Sequence, residues 1–124
     1  SLAGSPLMND FCVISLSDKL TPWQMIEKRI KGALVGDFVA AILNPQSKER
    51  NWQLEKTIKM FSEKRQKNTP IIIARQVGRK DQKVSFSTLD DFPSDQIDML
   101  TLIIIGNSKT KLVDNKFISP RGYL

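Results

Sequence analysis

Four short apolar runs constrain this 124-residue chain more than any other feature of it. They are Phe11–Ser15 (FCVIS), Asp37–Leu43 (DFVAAIL), Ile71–Arg75 (IIIAR) and Leu100–Ile105 (LTLIII). Each is brief, apolar and nearly unbroken, which predicts buried strands, with Asp37–Leu43 covered on both faces. A helical period lies between the first two, with Trp23, Ile26, Ile30 and Leu34 on one stripe. Thr21-Pro22-Trp23-Gln24 predicts its start, with Thr21 as cap, Pro22 at the first helical position and Gln24 completing a capping box. Gly36 predicts a left-handed stop. A second, basic helix is predicted from Ser47 onward, with Leu54, Ile58 and Phe61 inward, and Asn68-Thr69-Pro70 ends it. Gly78-Arg79-Lys80-Asp81 reads as a turn, and the alternation in Lys83–Thr88 predicts a strand that forms a hairpin with Ile71–Arg75. Asp95–Met99 reads as a short helical stretch and Asn107–Leu124 as polar loop. This order predicts one α/β domain with a mixed, mainly parallel sheet of about five strands flanked by helices.

Composition narrows the chemistry. The chain has no histidine and a single cysteine, Cys12. An internal disulfide is therefore excluded, as is a Ser-His or Cys-His relay, no metal site is expected, and a reducing cytoplasm is the expected location. No apolar stretch approaches the ~20 residues of a membrane span. The net charge of +6 is concentrated in residues 47–83, where eleven Lys/Arg face four Asp/Glu. Such a field suits a polyanionic partner: nucleic acid, a nucleotide or a molecule with several carboxylates. It also suits a solvated helix face that only keeps the chain soluble. A non-catalytic module binding RNA or another polyanion is the alternative reading, but the single tyrosine, Tyr123, leaves it without an aromatic sheet face.

In sheets of this class ligands sit beyond the C-terminal strand ends. Those ends carry Ser15–Asp18, Leu43-Asn44-Pro45, Arg75-Gln76 and Gly106-Asn107-Ser108, and they are expected to converge on one rim with Thr21-Pro22. The hairpin would put Lys83 near that rim and Thr88 at the opposite one. Gly78-Arg79-Lys80 lacks the spaced glycines of a phosphate loop. Asp90-Asp91 points its carboxylates apart and reads as a turn. Cys12 reads as a small buried hydrophobe, and Trp23 and Trp52 as packing residues.

The segments GSPLMNDFCVISLSDKLTPW (4–23), GDFVAAILNPQSKER (36–50), TPIIIARQVGR (69–79), IDMLTLIIIGNSKT (97–110) and SPRGY (119–123) together resemble the tetrapyrrole methylase family, in the branch that methylates C17 of precorrin-3B. That resemblance implies a two-domain enzyme with S-adenosyl-L-methionine and the tetrapyrrole held between its domains. It implies that residues 1–124 are the C-terminal domain and that the N-terminal domain lies outside this sequence. Leu2–Pro6 then reads as the interior of the connection between halves, and Ser1 as an internal position. The implied activity is methyl transfer to C17 of precorrin-3B with ring contraction, in cobalamin biosynthesis, by a homodimer. The implied cofactor-binding residues are Leu43, Asn44, Ile72, Ile73 and Thr88. Arg75 is expected to pair with a carboxylate of the substrate. Asn9 stands where the family often has histidine, so no acid–base role is expected there, and no catalytic residue is assigned. A half-domain retained mainly for dimerisation is a third reading.

Overall fold

The computed structural model describes residues 4–5, 10–76, 78–113 and 116–118. In chain order its elements are β1 (Gly4–Ser5), β2 (Phe11–Ser15), α1 (Trp23–Val35), β3 (Val39–Leu43), α2 (Trp52–Lys64), β4 (Pro70–Arg75) and β5 (Lys83–Thr88). A single 3₁₀ turn (Ser94–Gln96), β6 (Leu102–Ile105), β7 (Lys111–Val113) and β8 (Lys116–Ile118) follow. All four apolar runs become strands. Five strands form one sheet in the order β2-β3-β6-β4-β5, and β1-β8-β7 form a small second sheet. Residues 107–124 were expected to be loop throughout, yet Lys111–Val113 and Lys116–Ile118 pair antiparallel there. The sequence signal was weak because these strands are only three residues long.

The large sheet is mixed, but its balance differs from a mainly parallel one. Only β2 and β3 pair parallel, and β6 inserts antiparallel between β3 and β4. β2, β3 and β4 therefore still point the same way. The β4–β5 hairpin pairs Arg75 with Lys83 and Pro70 with Thr88, as expected. Insertion of β6 has one large consequence. Its C-terminal end, and with it Gly106-Asn107, emerges on the rim opposite Leu43 and Arg75, so the expected convergence of all four polar ends does not occur.

Register explains the core. Ile14 pairs with Ile42, Ile42 with Ile103, and Ile103 with Ile73, so one rung of isoleucines crosses four strands. All four belong to the cluster formed with Ile26 and Ile30 of α1 and Leu54 and Phe61 of α2, so both helices cover this one face. Burying each such side chain contributes about 1.5–3 kcal/mol relative to exposure. The other face carries Val39, Ala41, Ile72 and Ile104.

The helix ends depart from expectation in instructive ways. Pro22 is the residue flanking α1, and no side chain caps the helix, so Thr21 and Gln24 form no capping box. Gly36 is right-handed (φ −81°), and the left-handed residue is Asp37 (φ 56°). Gly36 is needed for space instead, because a Cβ there would lie 2.5 Å from the Phe38 ring. Helix α2 begins at Trp52, five residues later than expected. Ser47 and Arg50 exchange backbone hydrogen bonds of 2.8 and 3.2 Å in a tight turn, which turns the Arg50 side chain toward the strand ends. Asp95–Met99 contributes only the end of the 3₁₀ turn. Among the described residues no helix is long and apolar enough to cross a membrane.

Candidate functional site

Strands β2 and β3 end side by side, and each needs its last carbonyls satisfied before the chain can turn away. One buried side chain does this for both. The guanidinium of Arg50 donates to the carbonyl oxygen of Leu16 at 2.8 Å and to that of Asn44 at 2.6 Å, and lies 3.4 Å from the Met99 sulfur. Planar guanidinium is suited to this, since its donors diverge in a fixed fork. Asn44 itself is left-handed (φ 50°), a conformation asparagine tolerates better than most residues. Its amide donates to the Ser15 hydroxyl at 2.9 Å, which also accepts the Ser17 N–H at 3.2 Å.

Above this clamp lies an open cleft of about 620 Å³. Its floor and walls include Ser17, Asp18, Asn44, Arg50, Trp52 and Gln53, with Lys19 and Lys48 at its edge. Gln53 is only 2% exposed, and its amide donates to Asp18 Oδ2 at 2.7 Å. That bond fixes which end of the amide is nitrogen, because a carboxylate can only accept. The remaining atom, Gln53 Oε1, is buried and has no hydrogen-bond partner. A buried acceptor without a donor costs about 1–3 kcal/mol. Trp23 and Trp52 meet edge to face, with ring centroids 5.1 Å apart and Lys56 Nζ 5.5 Å from the Trp52 ring; Trp23 packs on the core as expected, whereas Trp52 is exposed and lines the cleft. The start of α1 thus shares this rim, as expected.

The same rim continues toward β4. Gln46 donates to the carbonyls of Ser94 and Ile97, both at 2.8 Å, tying the loop after β3 to the 3₁₀ turn. Arg75 meets that turn from the other side, with Nε 3.2 Å from the Gln96 carbonyl and its terminal nitrogen on the Gln96 side-chain oxygen. Leu43 is exposed at the rim. Ile72 and Ile73 lie inside β4 and are 2% and 1% exposed, on opposite faces of the sheet. Thr88 lies on the opposite rim, opposite Pro70. Of the residues expected to bind ligand, Leu43, Asn44 and Arg75 share the rim, and Asn44 alone lines the cleft.

Sequence places Asp18 at the rim only as part of the Ser15–Asp18 strand end, and gives Arg50 and Gln53 no site role. Two signals point to Arg50 and Gln53. Asn44, Pro45, Ser47 and Arg50 fall within seven residues that interrupt the helical pattern, and Gln53 stands on the otherwise inward stripe of Leu54, Thr57 and Phe61.

The opposite rim is built for closure. Arg65 donates to the carbonyls of Gly106 (2.5 Å) and Phe38 (2.6 Å), with its guanidinium carbon 4.8 Å from the Phe61 ring centre. Burial lowers its pKa, opposed chiefly by the charge of Asp37. Asp37 accepts from the Ser108 N–H at 3.0 Å and from its hydroxyl at 2.5 Å, and Asn107 donates to the Asp37 carbonyl at 3.1 Å. Burial raises the Cys12 pKa, against a smaller lowering by Arg65. Cys12 is therefore a protonated packing group at neutral pH. Among the described residues no cluster of His, Cys, Asp or Glu could hold a metal ion.

Comparison with known proteins places this geometry. Residues 1–93 match the family model described as Tetrapyrrole (Corrin/Porphyrin) Methylases. The chain is 43% identical over 123 residues to a probable cobalt-factor III C(17)-methyltransferase of Salmonella typhimurium, covering 99% of this chain and 51% of that protein. It is 39% identical over 111 residues to a precorrin-3B C(17)-methyltransferase of a Sinorhizobium species, covering 90% of this chain and 44% of that one. The crystal structure of the methyltransferase CobJ superposes with a TM-score of 0.88 at 37% identity, over 95% of this chain and 49% of its own. The chain thus spans about half the length of these relatives.

Proposed function

Since the chain belongs to the tetrapyrrole (corrin/porphyrin) methylases, we propose that it forms the C-terminal half of an S-adenosyl-L-methionine-dependent methyltransferase acting at C17 of precorrin-3B or its cobalt counterpart in cobalamin biosynthesis. The observation that carries this reading is the 43% identity along 99% of the chain to a relative named for that reaction. The fold supports it, because the likeness to CobJ extends over nearly the whole chain.

The rim cleft is suited to part of such a cofactor. Its volume of about 620 Å³ lies within the usual range for small-molecule sites, and it offers a buried acceptor that lacks a donor. When bound, S-adenosyl-L-methionine supplies a methyl group on a positively charged sulfur. Methyl transfer depends on in-line approach at close range more than on a strong acid or base. The task of this chain is accordingly to bind and orient. Leu43 and Asn44 form the apolar and polar edge of the cofactor site, with Ile72 and Ile73 supporting it from within β4. Thr88 enters this reading only by resemblance. Arg75 has a guanidinium held beside the Gln96 turn and pairs with a substrate carboxylate, since precorrins carry acetate and propionate groups. The basic segment 47–83 favours the same polycarboxylate.

An N-terminal domain closes the cleft from the other side in this reading. The outer edge of β2, unpaired among the described residues and with Phe11 and Val13 exposed, supports a homodimer, and the single cysteine suits the cytoplasm. The test is transfer of an isotopically labelled methyl group from S-adenosyl-L-methionine to precorrin-3B or cobalt-factor III. The intact protein should label C17, whereas residues 1–124 alone should not. Turnover by residues 1–124 alone would refute the division of the site between two halves. Labelling of neither substrate by the intact protein would refute the assignment.

A further inference from the structure

We propose that the tip of the β4–β5 hairpin is a capture arm for the polycarboxylate substrate, with Arg79, Lys80 and Lys83 drawing that molecule onto the rim where Arg75 stands. The proposal rests on the reading of the substrate above, and concerns how the substrate reaches the site rather than the chemistry done on it.

Place and charge together single out this hairpin. Strands β2, β3 and β4 end on one rim, and residues 75–83 turn back there with four cations, Arg75, Arg79, Lys80 and Lys83, against the single carboxylate of Asp81. Neighbouring strands lie about 4.8 Å apart, so β5, three places from β3 in the sheet, sets Lys83 roughly 15 Å along the rim from Leu43. The lysines of α2 are placed differently. At a rise of about 1.5 Å per residue, α2 leaves the cleft at Trp52 and carries Lys64 about 18 Å away, to the rim that Arg65 closes. At the cleft itself Lys19 and Lys48 are matched by Asp18 and Glu49, and Arg50 is engaged on carbonyls. The turn before β6 brings Asp95 and Asp98 toward Arg75, yet among the described residues none of the four hairpin cations forms an ion pair.

Folding alone does not account for this cluster. The register sets Arg75 directly opposite Lys83, and like charges in that position are destabilising. Arg75 turns to the Gln96 carbonyl at 3.2 Å, and Lys83 stays exposed. The tip is also ordered. The Gly78 N–H donates to the Gln82 side-chain oxygen at 2.9 Å, the Arg79 N–H to the Gln76 carbonyl at 2.9 Å, and the Gln82 N–H to the Arg79 carbonyl at 3.2 Å. Gln76 (φ 56°) and Gly78 (φ 79°) supply the left-handed residues of these turns. Arg79 and Lys80 are thus presented to solvent on a fixed support. A molecule with several carboxylates meets all four charges and relieves their repulsion. Exposed charges act over a screening length of about 8 Å at physiological salt, so the arm works on approach and entry and not on the reacting atoms.

The experiment is initial-rate kinetics of methyl transfer by the intact protein, with precorrin-3B or cobalt-factor III as the varied substrate, at about 0.03 and about 0.3 M salt. In Arg79→Gln/Lys80→Gln/Lys83→Gln, KM at the lower salt should rise roughly 10-fold with kcat within about twofold, and the salt dependence of KM should flatten. Lys28→Gln/Lys31→Gln/Lys109→Gln removes the same charge elsewhere and should leave KM within about twofold. Thermal unfolding checks that both variants are folded. The unaltered protein alone already tests the arm, since its KM must rise with salt, and a KM that salt does not move overturns the proposal. An unchanged KM in the folded hairpin variant does so too, as does an equal rise in the control, which would assign the effect to net charge. A fall in kcat matching the fall in kcat/KM also overturns it, because these residues would then act on the transition state. Absence of methyl transfer by the unaltered protein overturns the functional reading itself, and the arm with it.

Discussion

Replacing Arg50 by leucine tests whether one buried side chain holds the rim together. The substitution removes two charge-assisted hydrogen bonds and strands the carbonyls of Leu16 and Asn44. Hydrogen bonds to a charged group contribute roughly 1.5–3 kcal/mol each, and a carbonyl left dry costs about 1–3 kcal/mol. These figures overlap, since the cost of the orphaned carbonyl is largely what the bond prevented. Leucine also recovers the desolvation cost of a buried cation, which is several kcal/mol. The carbonyls lie at the edge of an open cleft and regain part of their hydration from it. The net expectation is a loss of about 2–4 kcal/mol, near the upper end for a single substitution. In urea, with a slope of about 1–3 kcal/mol/M, this lowers the midpoint by roughly 1–2 M. Arg50→Lys keeps the charge but has one compact head where two divergent donors are needed, so it should fall between the parent and the leucine variant. A midpoint within about 0.3 M of the parent for Arg50→Leu would refute the reasoning. Lysine matching arginine would show that charge, and not the fork, is what the rim requires.

Three further outcomes are expected. Gly106→Ala places a Cβ 2.6 Å from the Thr110 side chain, which also accepts the Asn107 N–H at 2.8 Å, so thermal denaturation should show a loss of about 1–3 kcal/mol. Pairing it with Thr110→Ser should recover part of that loss, and an unchanged melting temperature for Gly106→Ala would disprove the close approach. Cys12 titrates above the ordinary thiol range because burial disfavours its thiolate, so at pH 8 it should be alkylated more slowly than a free thiol, with the rate still rising at higher pH. A plateau reached below the ordinary thiol pKa would contradict this. Arg75→Ala in the intact protein should raise KM for the tetrapyrrole by roughly 10-fold or more while changing cofactor affinity little, and an unaltered KM would remove Arg75 from the substrate site.

The helix face of the sheet and its strands were legible from sequence, because hydrophobic period is a local property. Ile14, Ile42, Ile73 and Ile103 announce strands wherever they pair, and Ile26, Ile30, Leu54 and Phe61 announce helices wherever they dock. Element boundaries were less so. Ser47–Asn51 has helical composition, yet it is a turn, since Arg50 gains more from the carbonyls of two strand ends than it would on an exposed helix face. Gly36 is required by the Phe38 ring and not by its own backbone angle, a distinction that no local pattern contains.

Periodicity, charge and motif were enough to give the α/β class, the inward residues, the basic central segment and the family. Which polar ends share a rim depends on long-range strand pairing. Chain order leaves β6 free to pair at either edge of the sheet, and its insertion between β3 and β4 sends Gly106-Asn107 to the rim that Arg65 and Asp37 close. Asp18 and Gln53 lie 35 positions apart and meet at 2.7 Å only in the folded chain, where the start of α2 lies beside the loop that follows β2. Strand identity depends on short-range periodicity, whereas site geometry depends on register and strand order. Those are settled by which pairings bury the most surface across the whole chain.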